Sequence, residues 1–215
     1  ASGSLTIDRS TISDNHANDG GGIRNWGTLT VTNSTISGNE LTHNEGTSAN
    51  GGGILSDGPS ASLTIENSTI VGNFSSTGTG VGAGVYNAQG TATVTHSIIA
   101  GNTIDDPRKD VTGAFTSNGH NIIGDVGPAT GFTDGVNGDI VGTSGSPVDP
   151  KLGPLQDNGG PTSTHTPLLD SPAIDAGNSV VAIPEFAITD QEANSGLIRN
   201  IPEASQNTDI GFLTA

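Results

Sequence analysis

Acidic side chains within repeated segments are the first candidates for chemistry, because enzymes that hydrolyse polysaccharides use two carboxylates at a fixed separation. Asp8, Asp57 and Glu66 are acids in or beside these segments, but no compact acidic pair recurs in one register. Arg9 takes the position that Asn33 has in the next copy, which indicates an outward and variable site. We therefore expect no catalytic residues in this chain.

A short acidic turn is the candidate metal site. Asp134, Asn137 and Asp139 have a spacing typical of glycine- and aspartate-rich calcium turns, and ordinary turn chemistry explains the same residues. The chain has no Cys, and its five His residues lack the spacing of zinc ligands. Calcium is thus the one candidate cofactor, and the simpler expectation is that there is none.

Two aromatic side chains are candidates for binding sugars. Trp26 and Tyr86 each follow a glycine-rich segment, one residue out of register with each other. Aromatic rings on a protein face can hold sugar rings, and they equally serve to anchor a loop. A carbohydrate-binding or polysaccharide-degrading protein therefore remains the alternative to a structural one.

The net charge narrows the candidate partners. The formal net charge is −16, from 22 acidic and 6 basic residues. Such a surface repels nucleic acids and anionic membranes. No apolar run approaches the roughly 20 residues that a membrane-spanning helix needs. We expect neither nucleic acid binding nor membrane insertion, and we take a surface polysaccharide or another protein as the candidate partner.

These residues are positioned by a repeated sequence. The copies are residues 4–15 (SLTIDRSTISDN), 28–39 (TLTVTNSTISGN), 62–73 (SLTIENSTIVGN) and 91–102 (TATVTHSIIAGN). A second, glycine-rich segment lies between the copies, at residues 20–25 (GGGIRN), 51–56 (GGGILS) and 82–87 (GAGVYN). Short β-branched groups separated by turn residues predict many short strands.

The spacing of the copies predicts the fold. Ile7, Val31, Ile65 and Val94 are 24, 34 and 29 residues apart, and the shortest interval suits three strands with three turns. One repeat has no core of its own and buries its apolar residues against its neighbours. We predict an all-β right-handed parallel β-helix, a solenoid, over residues 1–126. An irregular Pro- and Gly-rich segment, residues 127–215, is expected to pack on it or extend it.

Matched apolar positions predict the core. They should form inward columns, the main one being Ile12, Ile36, Ile70 and Ile99. Ile122 and Ile123 are the expected inward pair of a further repeat. Stacked parallel strands lie about 4.8 Å apart, so that like residues lie directly over one another.

A polar column is expected beside the apolar ones. Its members are Asn15, Asn39, Asn73 and Asn102. Stacked amides can hydrogen-bond donor to acceptor along the axis, which predicts a structural ladder, and a polar ligand groove is the alternative. A parallel column of serines receives the same interpretation: Ser10, Ser34, Ser68 and Ser97.

An ordered series of short motifs occupies the C-terminal part of the chain. It comprises residues 149–155 (DPKLGPL), 157–162 (DNGGPT), 171–177 (SPAIDAG), 189–191 (TDQ) and 209–211 (DIG). The series resembles the C-terminal signature of bacterial "choice-of-anchor Q" right-handed β-helix proteins, and the upstream copies are similar to their repeats. The resemblance implies a secreted or surface-attached bacterial protein, and it implies no reaction.

The expected function is therefore that of an extracellular or cell-surface structural or adhesive module. Because no capping segment precedes Ser4, we expect Leu5 and Ile7 to lie on an open edge. Two explanations fit an open edge: the chain was cut from a longer solenoid, or a neighbouring copy covers the edge head to tail and generates a filament. The apolar ending is the candidate donor of this contact, through Ile210, Phe212 and Leu213.

Overall fold

The described part of the chain is built from strands and turns. The computed structural model describes residues 3–18, 20–41, 50–75, 82–104 and 110–177. Among these residues there is no helix, and hence none long and apolar enough to cross a membrane.

The strands are short, mostly two to five residues each. In chain order they are β1 (Ser4–Asp8), β2 (Thr11–Ser13), β3 (His16–Ala17), β4 (Ile23–Asn25), β5 (Thr28–Thr32), β6 (Thr35–Ser37), β7 (Glu40–Leu41), β8 (Ile54–Ser56), β9 (Ser62–Glu66), β10 (Thr69–Val71), β11 (Phe74–Ser75), β12 (Val85–Asn87), β13 (Thr91–Thr95), β14 (Ile98–Ala100), β15 (Thr103–Ile104), β16 (Val111–Gly113), β17 (Thr116–Ser117), β18 (Ile122–Ile123), β19 (Ile140–Val141), β20 (Leu152–Gln156) and β21 (Thr164–Pro167).

Successive repeats add their strands to the same parallel sheets. Sheet A has the order β1-β5-β9-β13-β17, sheet B the order β19-β18-β14-β10-β6-β2, sheet C the order β15-β11-β7-β3 and sheet D the order β16-β12-β8-β4. The strand pairs in these sheets are parallel, whereas β20 and β21 form an antiparallel hairpin. Stacked parallel strands of this kind are consistent with a β-solenoid built from repeats.

Alternation along the strands of sheet A explains why this sheet has a buried and an open face. In β5, Leu29 and Val31 are buried while Thr28 is exposed, because successive side chains point to opposite faces. The register places Leu29 over Leu5 on one side and over Leu63 on the other. The repeat thereby forms continuous apolar columns inside the stack.

A recurring left-handed turn ends the strands of sheet A. Five residues adopt a φ between 45° and 58° at this position: Arg9, Asn33, Asn67, His96 and His120. Asn is the residue type that best tolerates this backbone conformation after Gly. The turn directs the chain from sheet A into sheet B in each repeat.

The isoleucine column runs through sheet B. Ile36 pairs with Ile12 and Ile70, and Ile70 pairs with Ile99. Ile36, Ile70 and Ile99 have no exposed surface, and Ile12 is partly buried at the edge strand. These side chains belong to one apolar cluster together with the inward residues of sheets A and D.

Parallel pairing continues past residue 126, because β19 adds to β18. One feature differs from the expectation drawn from the sequence. The interpretation of Ile122 as an inward residue is wrong: Ile123 joins the inner cluster, while Ile122 packs in a second cluster with Ile98 and Ala173. Neighbouring residues of one strand point to opposite faces, so Ile122 and Ile123 cannot both face inward.

The C-terminal segment covers the outer face of sheet B. Val148, Leu152 and Ala173 pack against Ile98 and Ile122. Farther along the sheet, the hydroxyl of Thr11 donates to the carbonyl of Ser163 at 2.6 Å. The predicted contact residues Ile210, Phe212 and Leu213 lie outside the described residues.

Candidate functional site: buried polar columns

The asparagines form one continuous hydrogen-bonded column, the Asn column, consisting of Asn15, Asn39, Asn73 and Asn102. Asn39 Nδ2 donates to Asn73 Oδ1 at 2.9 Å, and Asn73 Nδ2 donates to Asn102 Oδ1 at 2.8 Å. Asn15 Nδ2 lies 2.9 Å from Asn39 Oδ1. Asn15 is exposed, whereas the other three have no exposed surface. Each Oδ1 also accepts the backbone N–H of the preceding Asn, so the column holds the register between repeats.

Each buried Asn also ties the column to the apolar core. Asn73 Nδ2 donates to the carbonyl of Ile36, and Asn102 Nδ2 donates to the carbonyl of Ile70, both at 3.0 Å. The glycine-rich segments provide the room for these amides. A Cβ on Gly84 would lie 2.6 Å from Asn102 Nδ2, so that only glycine fits there.

Asp110 ends the Asn column. Its Oδ1 accepts the backbone N–H and the Nδ2 of Asn102 at 2.7 and 2.8 Å, and its Oδ2 accepts the N–H of Asp125 at 2.7 Å. Burial raises the pKa of Asp110 to about 6, although these N–H donors act in the opposite direction. The sequence did not indicate this role, because Asp110 follows Asn102 by only 8 residues and takes the place that glycine, Gly84, has in the preceding repeat.

The serines form a second column with a similar end. The backbone N–H of Ser34 donates to Ser68 Oγ, and that of Ser68 donates to Ser97 Oγ, both at 3.2 Å. The N–H of Ser97 then donates to Asn121 Oδ1 at 3.0 Å. Asn121 in turn donates to Asp139 Oδ1 from its backbone and from its side chain, at 2.9 and 3.0 Å. A buried carboxylate therefore ends each polar column.

The candidate calcium turn is engaged in these contacts. Asp139 accepts the hydrogen bonds that end the serine column, and Asp134 Oδ1 accepts the N–H of Val141 at 2.9 Å. Asn137 lies in the left-handed region, and its carbonyl accepts the N–H of His120. The described residues contain no group of three or more His, Cys, Asp and Glu side chains that could hold a metal ion. Calcium binding at this turn stays a prediction.

A Ser–His pair joins the hairpin to sheet B. Ser37 Oγ lies 2.8 Å from His165 Nε2, and His165 Nδ1 lies 2.7 Å from the carbonyl of Gly153. Because a carbonyl only accepts, Nδ1 carries the proton and Nε2 accepts the Ser37 hydroxyl.

The burial of this pair indicates what it does. Such a hydrogen bond also activates nucleophiles in hydrolases. Here 5% of Ser37 and 8% of His165 are exposed, so the contact fastens the hairpin to the sheet. Burial lowers the pKa of His165, which favours the neutral ring.

Two further histidines stack on the left-handed turns. The rings of His96 and His120 are nearly parallel, with centroids 5.1 Å apart. Burial, and next the neighbouring His120, lower the pKa of His96. His120 Nδ1 lies 3.0 Å from the carbonyl of Ala176, so this pair contacts the C-terminal segment. We made no sequence-based prediction of this contact, and the signal that could have given it is the place of His96 at the turn position of the repeat.

The predicted acids and bases do not converge on one cleft. Asp57 pairs with Arg24 at 2.8 Å, and the Arg24 guanidinium lies 5.0 Å from the ring centroid of Trp26. Asp8 contacts its neighbour Arg9 at 3.4 Å. In sheet A, Thr32 lies between Asp8 and Glu66 in register, so one whole strand, β5, separates these two acids.

The edge strand and the nearby tryptophan form an open groove. It has a volume of about 250 Å³, and Leu5, Ile23 and Trp26 are among its lining residues. Leu5 is 55% exposed and Trp26 is 65% exposed, whereas Ile7 is half-buried. Tyr86 is also half-buried and lies on β12, which is separated from β4 by β8. The two aromatic residues therefore do not form one platform.

The comparisons with known proteins do not identify this chain. No family model matches it, and no curated protein or solved structure matches it. The likeness to "choice-of-anchor Q" proteins therefore rests on the motifs alone and stays a prediction.

Proposed function

We propose that this protein is an extracellular structural module whose parallel sheets are wound as a right-handed parallel β-helix. The observation that carries the proposal is the Asn column, because it joins successive repeats through buried hydrogen bonds. A crossover between parallel strands of one sheet is right-handed in about 98% of cases, which supports this hand. The motif resemblance supports the extracellular or cell-surface location.

The use of polar side chains supports a structural role. Asp110 and Asp139 accept N–H groups at the ends of the two columns, and His165 fastens the hairpin. Groups that elsewhere act on substrates are here engaged with the protein itself. A rigid stack then presents its lateral faces to a surface polysaccharide or to a protein partner.

Digestion by a protease tests the structural role. We expect the folded stack to resist cleavage, and Asn73→Asp to be cut faster because the column is broken at a buried position. Asn15→Asp makes the same change at the exposed end and is the matched control. Equal cleavage of both variants and the unmodified protein would show that the column does not hold the stack.

An assay on acidic polysaccharides tests the alternative. The protein is incubated with pectin and with alginate, and the absorbance of unsaturated products is recorded. We expect no turnover, because a surface with 22 acids and 6 bases repels polyanions. Turnover that disappears in Arg9→Ala or Arg24→Ala would replace the structural proposal with an enzymatic one.

Head-to-tail self-association is the second candidate function. It is favoured by the exposed Leu5 on β1, which pairs on one side with β5 and on the other with no described strand, because such an edge with apolar side chains can accept another strand. Sedimentation over a range of concentrations should show association that Leu5→Lys abolishes. Leu169→Lys changes a leucine that is 86% exposed away from this edge and is the control. A monomer at every concentration would refute this candidate.

A further inference from the structure

The outer face of sheet A carries a repeated array of hydroxyl groups. At the central outward position, five successive strands all have threonine, in register: Thr6, Thr30, Thr64, Thr93 and Thr116. We call this rank of side chains the central threonine rank. Thr6 and Thr116 are exposed, and the three between them are half-buried by their neighbours in the rank.

A second rank of hydroxyls runs beside the central one. It consists of Ser4, Thr28, Ser62 and Thr91. Neither rank contains a charged residue, although the chain has a net charge of −16. The charges of this face, Asp8 and Glu66, lie in a third rank at the other border, which has the order Asp8, Thr32, Glu66 and Thr95. The two hydroxyl ranks thus form an uncharged strip on an acidic protein.

The geometry of the strip follows from its strands. Neighbouring strands lie about 4.8 Å apart, and alternate residues along a strand lie about 6.6–6.8 Å apart. Within the described residues, the hydroxyls of the central threonine rank make no hydrogen bond to the protein, so they face solvent. Among the described residues, the C-terminal segment meets sheet A at its last strand, where Ser117 Oγ donates to Asp139 Oδ2, and its other contacts include sheet B and His120.

We propose that the hydroxyl strip of sheet A binds ice. An ice surface presents water oxygens at two fixed repeats, one close to the strand spacing and the other close to the spacing of alternate residues. Each threonine offers a hydroxyl for that lattice and a methyl group for the gaps between its oxygens. An uncharged strip matches an uncharged crystal surface, whereas charged groups would hold disordered hydration water.

The strip is ordered before it meets a ligand. Threonine is restricted at χ1 by its branched Cβ, and Leu29, Val31 and Ile65 pack rigidly behind the strands. Ordering a surface in advance lowers the entropic cost of binding. The inference uses the rigid stack of the proposed function and assigns it a ligand that the proposed function does not name.

The absence of aromatic residues favours ice over a sugar polymer. Sugar rings are held by stacking on aromatic side chains, and the outward residues of the strands of sheet A include none. Trp26, the exposed aromatic residue, lies between β4 and β5 rather than on the strip.

Thermal hysteresis and inhibition of ice recrystallisation test the proposal on the full chain. We expect the unmodified protein to shape ice crystals and slow their coarsening. Thr30→Tyr and Thr64→Tyr, placed in the middle of the strip, should lose most of this activity, and Thr64→Val should lose part of it. Thr143→Tyr, on the exposed turn after β19, is the matched control and should retain it.

Three outcomes would overturn the proposal. They are a folded protein without effect on ice, an equal loss in Thr143→Tyr, and binding to crystalline chitin or cellulose, instead of ice, that the strip variants abolish. Circular dichroism of each variant shows whether a loss of activity comes from the altered strip or from unfolding of the protein. If the stack itself unfolds readily in the unmodified protein, the structural proposal fails instead.

Discussion

Replacing Asn73 with Asp removes the donors of one buried amide while keeping its shape. Asn73 Nδ2 donates to Asn102 Oδ1 at 2.8 Å and to the Ile36 carbonyl at 3.0 Å. In Asn73→Asp both of these acceptors face another oxygen. Each buried group left unsatisfied costs about 1–3 kcal/mol, so the free energy of unfolding should fall by roughly 2–6 kcal/mol near neutral pH.

The exposed end of the same column provides the control. Asn15→Asp is the same chemical change, but water replaces the lost partner there, and we expect a loss of about 1 kcal/mol or less. The cost of Asn73→Asp should also shrink as the pH falls. Burial favours the neutral carboxyl group, whose O–H can donate again to Asn102.

Guanidinium unfolding, followed by circular dichroism at neutral and at mildly acidic pH, measures both effects. Similar losses for Asn73→Asp and Asn15→Asp would refute the argument that the buried amides hold the repeats together. A cost for Asn73→Asp that grows as the pH falls would refute the reasoning about protonation.

Three further predictions concern the core, the hairpin and the glycine-rich segments. Ile70→Ala should lower the free energy of unfolding by about 2–5 kcal/mol, because it opens a cavity in the core. Leu169→Ala changes an exposed site and should alter that free energy by no more than about 0.5 kcal/mol. Chemical unfolding of the two variants measures the difference. Because burial lowers the pKa of His165, the folded protein binds a proton at this ring less readily than the unfolded chain does. The contribution of the neutral ring to stability is therefore lost as the pH falls below the ordinary value of 6.5. An unshifted or raised pKa of His165 in an NMR titration would contradict this prediction. Gly52→Ala should lower the free energy of unfolding by about 1–3 kcal/mol, because the added methyl group overpacks the site and strains its contacts. Its Cβ would lie 2.6 Å from the Ala83 carbonyl, whereas Gly145→Ala meets no atom within 4 Å, and thermal unfolding of the two variants checks the difference.

The repeat alone was enough to predict which residues share a column. Ile36 and Ile70, like Asn39 and Asn73, occupy matched places in successive copies, and parallel stacking places a matched residue against its own counterparts in the repeats on either side. The same logic predicts sheet A as a series of alternating apolar and hydroxyl residues. It does not show which open face binds a ligand, because every face of a solenoid repeats.

Tertiary structure decided where the columns end and what covers them. Asp110 and Asp139 precede Val111 and Ile140, so in register they take the places of Gly84 and Asn121 with a different residue type. They become column ends because the stacking places their carboxylates beside Asn102 and Asn121. Ser37 and His165 are 128 residues apart, and their hydrogen bond exists because the hairpin lies on sheet B. Local pattern carries no information on such contacts, since they depend on the path of a segment outside the repeat. Ile122 points away from the inner cluster because it alternates with Ile123 along β18, and only the C-terminal segment supplies the apolar surface that buries it there.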